Sequence, residues 1–569
     1  MKNLLLALLI ISAIMPLGCA FSESTAASDM PASIKSNVVM STKAAEPAVN
    51  DSTQSVTLEF REPLNFETAS GEVKLYRMKS TGEAVEEPIV LNFDQNAPML
   101  LNISRKDGSK FTEGEQYKIT VGAGVKLAGG QWLGTDFTGY FAVNYSFGLG
   151  TEGIKDLNGE RSLIICISDI HLGADLKYSE FDRDGKGNGA ALTDFLNKIR
   201  QAPNVKELVI AGDLLDEWFV PSDVDTFQGK DQADFVARIA AAHKNVIDAF
   251  NNIIKDGKIK VTYVPGNHDI LITAADIESI LPGISQARDV KGLGTYSPSD
   301  RQEIAFEHGH RYNYFCAPDP ISNRSITNTD SILPPGYFFT RVATTSVVEH
   351  IEGKAVKQIT PPAVTKNSLG DSQDLLYYYY QSFKALLSTL PIVEGFNDKI
   401  IKTNIDGFTA AYALSDIFPY QTTADGPIDV NLFKGAETTW TERCTQNLVP
   451  VNISVKDAVL NAAYSTDLDE KSDSQYFKNA ASTKRIVVFG HSHVPLIKAS
   501  SNTRSQKTIY ANSGTWIDHN PGNTTMHFVV ITPRKAGDST AEFVNLYTYS
   551  KDGTITRSAV PQAITDLNQ

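Results

Sequence analysis

The sequence predicts an α/β protein with an all-β sandwich in front of it, and three observations predict this. Between about Val56 and Val143 apolar and polar residues alternate; from Ser162 onward unbroken apolar runs are separated by helical spacing; and five of those runs end in glycine-flanked turns bearing Asp, Asn, Glu or His. The chain has 569 residues, 42% hydrophobic and 21% charged, which is the composition of a folded globular protein. Its formal net charge of −14 argues against nucleic acid as the main partner, because phosphate backbones reward a basic surface. Four cysteines are too few for a disulfide framework.

Met1-Lys2-Asn3 and the apolar stretch Leu4 to Met15 form a leader too short to span a bilayer, so residues 1–19 are expected to be a signal peptide. Residues 20–50 are rich in Ser, Ala, Thr and Pro without an apolar period and read as a flexible linker. Over 51–147, Val56, Leu58 and Phe60 alternate with polar residues, as do Tyr117, Ile119 and Val121, and Asp107-Gly108 and Gly129-Gly130 supply turns. This segment holds no histidine or cysteine, so a spacer or docking role is expected of it.

From about residue 160 to the end the order becomes strand, loop, helix. Ser162 to Ser168, Glu207 to Gly212 and Lys260 to Pro265 suit strands buried on both faces, and Phe235, Ile239, Val246, Phe250 and Ile253 predict one long amphipathic helix. The runs end at Ser168-Asp169-Ile170-His171, Gly212-Asp213-Leu214-Leu215-Asp216, Gly266-Asn267-His268-Asp269, Glu307-His308-Gly309-His310 and Gly490-His491-Ser492-His493. In an extended segment residues two apart share a face, which would bring Asp169 together with His171 and His491 with His493. Imidazole and carboxylate at the ends of buried strands suit Mn, Zn or Fe.

These five motifs, in this order, resemble the calcineurin-like metallophosphoesterase superfamily. The resemblance implies two β-sheets flanked by helices, the metallo-dependent phosphatase fold, and two divalent metal ions as cofactors. It implies that Asp169, His171 and His493 hold one ion, that Asn267, His308 and His491 hold the other, and that Asp213 bridges them. A hydroxide generated by the ions would attack phosphorus in line, His268 would assist the leaving oxygen, and Asp269 would orient His268. Asp216 is expected to hold a ligand histidine. Segment 51–147, notably Thr112-Glu113-Gly114-Glu115-Gln116-Tyr117, resembles bacterial Ig-like domains. Leu17-Gly18-Cys19 resembles a lipoprotein cleavage site, which would leave a lipidated Cys19 on an extracytoplasmic, membrane-anchored protein.

Gly212 to Trp218, His308 to Tyr312 and Tyr510 to Trp516 look like the branch containing UDP-2,3-diacylglucosamine hydrolases. Those enzymes typically carry Arg at the place of His268 and work in the cytoplasm, so the branch guides architecture and not substrate. The insertion at about 316–480 is expected to be a cap, dispensable for metal binding, that favours a small phosphorylated substrate. Arg311 and Arg341 are candidates for gripping the non-phosphate part. The Tyr377 to Tyr380 run reads as cap packing, Asp182 to Asn188 as a solvated loop and not a calcium site, and Cys316 and Cys444 as capable of pairing. Three functions follow: a phosphomonoesterase or small-diesterase, a pyrophosphatase on a nucleotide-linked lipid or sugar, or a binding protein on a phosphoesterase scaffold.

Overall fold

A computed structural model describes residues 48–565, apart from 51–52, 61, 80, 95, 152–159, 463–466 and 533–540. The expected signal peptide, Cys19 and most of the linker lie outside the described residues. No described helix is long and apolar enough to cross a membrane.

The part of the chain from Leu163 onward is built on a pair of stacked sheets. In the first, Ser285–Gln286, Lys260–Val264, Val205–Ala211 and Leu163–Ile167 run parallel, and His527–Thr532 and Glu542–Tyr549 continue antiparallel. In the second, Ile304–Glu307, Ile486–Phe489 and Lys507–Asn512 run parallel, with antiparallel edges at Thr295–Tyr296 and Leu496–Ser501. Alternate residues of the two sheets meet in one core, where Ile164, Cys166, Val209 and Val264 join Phe306, Val488 and Ala511. Within each sheet the motif-bearing strands run parallel to one another and so deliver their motifs at the same end.

The predicted long helix is two, Gln232–Ala242 and Lys244–Asp256, broken at His243. There the backbone leaves the helical region, and the imidazole is drawn to the Gly173 carbonyl 2.9 Å away and against Phe181. The N-terminal segment is a five-stranded and a three-stranded sheet sharing a core of Val56, Leu58, Leu75, Leu101, Ile119 and Phe141. It contains a short helix, Phe66–Glu72, that alternation does not predict; Asn65 caps it by accepting from the Thr68 N–H. Ala48–Asn50, at the end of the expected linker, pairs parallel with Phe137–Val143. Tyr145 then meets Phe543 edge-on and Phe147 stacks on Tyr547, both in the first of these sheets.

The insertion expected to be a cap packs deeply against the core. Helix Pro335–Ile351 is buried from Pro335 through Glu349, and Phe338, Tyr379 and Trp440 share one hydrophobic cluster with Leu163 and Ile210 of the core. Arg341 is consumed as a pin: it donates to the Val220 carbonyl at 2.7 Å, to that of Pro221 at 2.8 Å and to that of Val224. Arg311 is likewise spent on Glu307, Asp289 and Thr295, so neither arginine is available for substrate. Tyr379 and Tyr380 point inward to the Ile417 and Pro362 carbonyls, and Cys316 and Cys444 are buried and form no disulfide among the described residues. Tyr337, Phe338, Phe339 and Val342 are fully buried. Losing such contacts at about 1.5–3 kcal/mol per side chain rivals a typical total stability of about 5–15 kcal/mol. Deleting about residues 320–475 is therefore expected to give a chain without cooperative thermal unfolding; a folded monomeric truncation would refute this packing.

Candidate metal centre

The motif loops are tied together before any side chain is considered. The N–H of Asp169 donates to the Gly212 carbonyl at 3.1 Å, and those of Ile170 and His171 both donate to Asp213 O at 2.9 Å. Asp169 in turn receives the His491 N–H on its carboxylate at 3.0 Å, and its own carbonyl accepts from Thr515 Oγ1 at 2.8 Å. Asn512 secures the last loop by donating to the Gly490 carbonyl at 2.7 Å.

Asp169, His171, Asp213, His491 and His493 all have positive φ, between 51° and 67°. The extended-strand explanation for pairing Asp169 with His171 and His491 with His493 is therefore wrong: the strands have ended, and left-handed turns aim the side chains. Each such residue costs about 1–3 kcal/mol, strain that recurs at functional sites. The flanking glycines allow the crowding. A Cβ on Gly266 would lie 2.1 Å from Asp213 Oδ1, and one on Gly490 2.5 Å from Asp169 Oδ2. Gly212 has φ +90°, and its Cβ would lie 2.3 Å from His308 Nδ1. Gly212→Ala is expected to push His308 off its anchor and lower metal content and activity together; unchanged metal content would refute that.

The side chains converge with their lone pairs facing one another. His308 Nδ1 lies 2.9 Å from the Ala211 carbonyl, an acceptor that requires the ring proton there. His308 Nε2 is then an acceptor, yet it sits 3.1 Å from Asp213 Oδ2 and 3.0 Å from Asn267 Oδ1. His171 Nδ1 is held by Asp216 Oδ2 at 3.0 Å, which turns Nε2 toward His493 Nε2 at 3.1 Å and Asp213 Oδ2 at 3.6 Å. His493 Nε2 is also 3.2 Å from Asp169 Oδ1. His491 Nε2 is buried without a hydrogen-bond partner among the described residues, its ring 5.1 Å from that of His308.

Such an arrangement requires positive charge. Burial alone would lower the His171 and His308 pKa values, but Asp216 and Asp213 lift His171 to about 10, and Asp213 and Asp169 lift His308 to about 9. Burial would raise Asp213, yet His308 and His268 hold it well below the usual carboxylate range. His491 is the opposite case: burial and the His308 charge press it down to about 3, so it presents a neutral imidazole. Divalent cations would take the place of those protons, and the donor set fits them. Two groups compact enough for an ion are Asp169 with His171 and His493, and Asp169 with Asp213 and His308.

A third group, His171, Glu180, Asp216 and His268, contains a residue the motifs do not include. Glu180 Oε2 is 3.8 Å from His171 Nδ1, yet it lies in a loop whose spacing resembles no motif. The orienting partner of His268 is also not the expected one. Asp216 Oδ1 lies 2.8 Å from His268 Nδ1, whereas Asp269 accepts the backbone N–H groups of Leu214, Leu215 and Gly266 at 2.6–3.2 Å and so joins two ligand loops. Trp218 stacks on His268 with ring centroids 4.8 Å apart. In the Asp182 loop, Asp518 and Asp182 accept backbone N–H groups on their carboxylates.

Residues 162–343 match the model of the family described as calcineurin-like phosphoesterase. Over those residues, about a third of the chain, the sequence is similar to calcineurin-like phosphoesterases. The match and the candidate metal-binding groups support a metal-dependent phosphoric ester hydrolase. The match ends inside helix Pro335–Ile351; His491 and His493 lie beyond it and return because Ile486–Phe489 pairs in parallel with Ile304–Glu307. Comparison with curated proteins gives no match. Among solved structures, a Staphylococcus aureus protein described as a candidate 5'-nucleotidase, in complex with alpha-ketoglutarate, aligns with 72% of this chain at 10% identity and a TM-score of 0.22. The chain spans 54% of that protein's length.

Proposed function

We propose that the protein is an exported two-metal phosphoesterase that hydrolyses a phosphomonoester or a small phosphodiester. In this reading Asp169, His171 and His493 hold one ion, Asn267, His308 and His491 the other, and Asp213 both. The observation that carries it is the convergence of acceptor atoms on His171, His308, His493, Asp169 and Asp213, which leaves lone pairs opposed unless cations lie between them. When bound, two divalent ions (Mn, Zn or Fe) supply charge to hold phosphate oxygens and a hydroxide nucleophile near neutral pH.

The chain's own residues do the rest. Asp213 stays ionised among three imidazoles. Asp216 fixes the Nδ1 protons of His171 and His268 at once, which sets the exposed edge of each ring. His268 keeps 10% of its side chain exposed where His308 keeps none, so His268 is the group that meets a departing oxygen. Burial would lower its pKa, but Asp216 raises it, which favours the protonated form an acid needs.

Export rests on the leader and on Cys19, whose lipidation would anchor the protein to a membrane. The N-terminal sandwich then acts as an Ig-like spacer or docking module. The branch containing UDP-2,3-diacylglucosamine hydrolases remains a guide to architecture, and a pyrophosphatase acting on nucleotide-linked lipids or sugars is the neighbouring activity. Protein reconstituted with Mn, Zn or Fe and assayed on aryl monoesters, aryl diesters and diphosphates tests the assignment. Release from a monoester or diester that chelation abolishes is expected. Turnover confined to diphosphates would move the function to the pyrophosphatase, and none at all would overturn the reading.

A further inference from the structure

The two ends of the N-terminal sandwich differ. At one end Val143 leads into Tyr145 and Phe147, which meet Phe543 and Tyr547, and Asn144 donates to Asn545 Oδ1 at 2.9 Å. The other end follows from the register. Val121 pairs with both Phe137 and Val73, so the loop between residues 121 and 137 lies there with helix Phe66–Glu72. The turn between Asp94 and Ala97 joins them. The Leu64 N–H donates to the Pro98 carbonyl at 3.4 Å, and the Asn65 N–H to the Lys126 carbonyl at 2.8 Å.

This far tip carries apolar surface. Trp132 is 58% exposed, Phe66 49% and Met99 40%, and among the described residues Trp132 and Phe66 are the two exposed aromatic side chains. A single exposed apolar residue needs no explanation, but three at one tip mark a contact surface. Both rings are propped in place. Phe93 braces Phe66 edge-on with centroids 4.9 Å apart, and Lys126 Nζ lies over the Trp132 ring at 4.4 Å.

The chain itself indicates what covers the tip. Ala48–Asn50 pairs in parallel with Phe141 to Val143, so the first described strand runs away from the tip and toward Tyr145. Ala48 is thus entered from the tip side, and the sequence before it contains the apolar stretch Leu4 to Met15 and Cys19. Trp and Phe are side chains that settle where lipid head groups meet acyl chains. Exposed Glu62 and Glu67 beside Phe66 oppose an anionic surface. Together with Lys126 they complement the ammonium and phosphate of a zwitterionic head group.

We propose that this tip docks on a zwitterionic lipid surface, with Trp132 and Phe66 seated at the interface and the contact with Phe543 and Tyr547 at the opposite end of the sandwich. The inference rests on the export reading, which supplies the membrane.

Trp132 also supplies the readout, because Trp218, Trp440 and Trp516 are at most 2% exposed. The full chain is incorporated into vesicles of phosphatidylethanolamine and phosphatidylcholine with ordinary or brominated acyl chains, and flotation checks attachment. Bromine quenches an indole that it can reach. Brominated lipid is expected to remove about a quarter of the emission, the share of one indole in four, and none in Trp132→Phe. Phe66→Ser combined with Met99→Ser is expected to reduce the loss at least about twofold, since seating scales with buried apolar area. Equal emission in the two lipids, an equal loss in Trp132→Phe, or protein that does not float would overturn the docking. The mass of the N-terminal peptide reports acylation of Cys19 independently. An acylated protein that floats without the Trp132-dependent loss keeps the anchor and removes this inference. An unacylated protein that floats with the loss keeps the inference and removes the acyl anchor.

Discussion

Asp213→Asn is expected to lower kcat/KM by on the order of 10³-fold or more, with loss of bound metal, because it weakens both ion sites at once. Asp213 Oδ2 stands 3.1 Å from His308 Nε2 and 3.6 Å from His171 Nε2, while Oδ1 accepts the His268 N–H at 2.8 Å. The amide keeps the shape and the backbone hydrogen bond but removes the charge that offsets cation repulsion. Asp216→Asn should cost less, about 10–100-fold, because it acts through His171 and His268 and not on metal. Metal content measured beside turnover separates the two: Asp213→Asn should lose metal, and Asp216→Asn should retain most of it. A fully active Asp213→Asn protein would refute the bridging role.

His268→Ala is expected to keep its metal and lose about 10²–10⁴ in turnover on esters with poor leaving groups. The imidazole is oriented on two sides, by Asp216 at 2.8 Å and by the stacked Trp218, and it is among the more exposed groups of the centre. Aryl phosphates with acidic phenols need little protonation, so the loss on them should be much smaller. Equal losses on alkyl and aryl esters would remove the acid role and leave His268 as a stabiliser of developing charge.

The site was legible in the sequence because its residues sit directly after buried apolar strands. Parallel strands deliver their ends to one place, so Asp169, Asp213, Asn267, His308, His491 and His493 could be collected without knowing the turns. The physical reason offered for the Asp169–His171 pairing was nonetheless wrong, since left-handed turns and not strand alternation aim them. Glu180 and the orientation of His268 by Asp216 in place of Asp269 were not legible: these depend on which loop lies over which, and no spacing encodes that. The depth of helix Pro335–Ile351 was hidden for a similar reason. Its Thr340, Thr344, Thr345 and Ser346 look like a polar face, yet all are buried, with Thr340 and Thr344 hydroxyls bonded to carbonyls one turn back and Thr345 and Ser346 tied to Ser222 and the Pro391 carbonyl.

The most direct measurement is the metal stoichiometry of wild-type and Asp213→Asn protein after reconstitution with Mn, Zn or Fe and removal of free ion, read beside phosphate release from an aryl ester. The account predicts two ions per wild-type chain, hydrolysis that disappears on chelation and returns with metal, and a marked fall in both quantities for Asp213→Asn. One ion or none in an active wild-type enzyme, or hydrolysis that survives complete chelation, would contradict it.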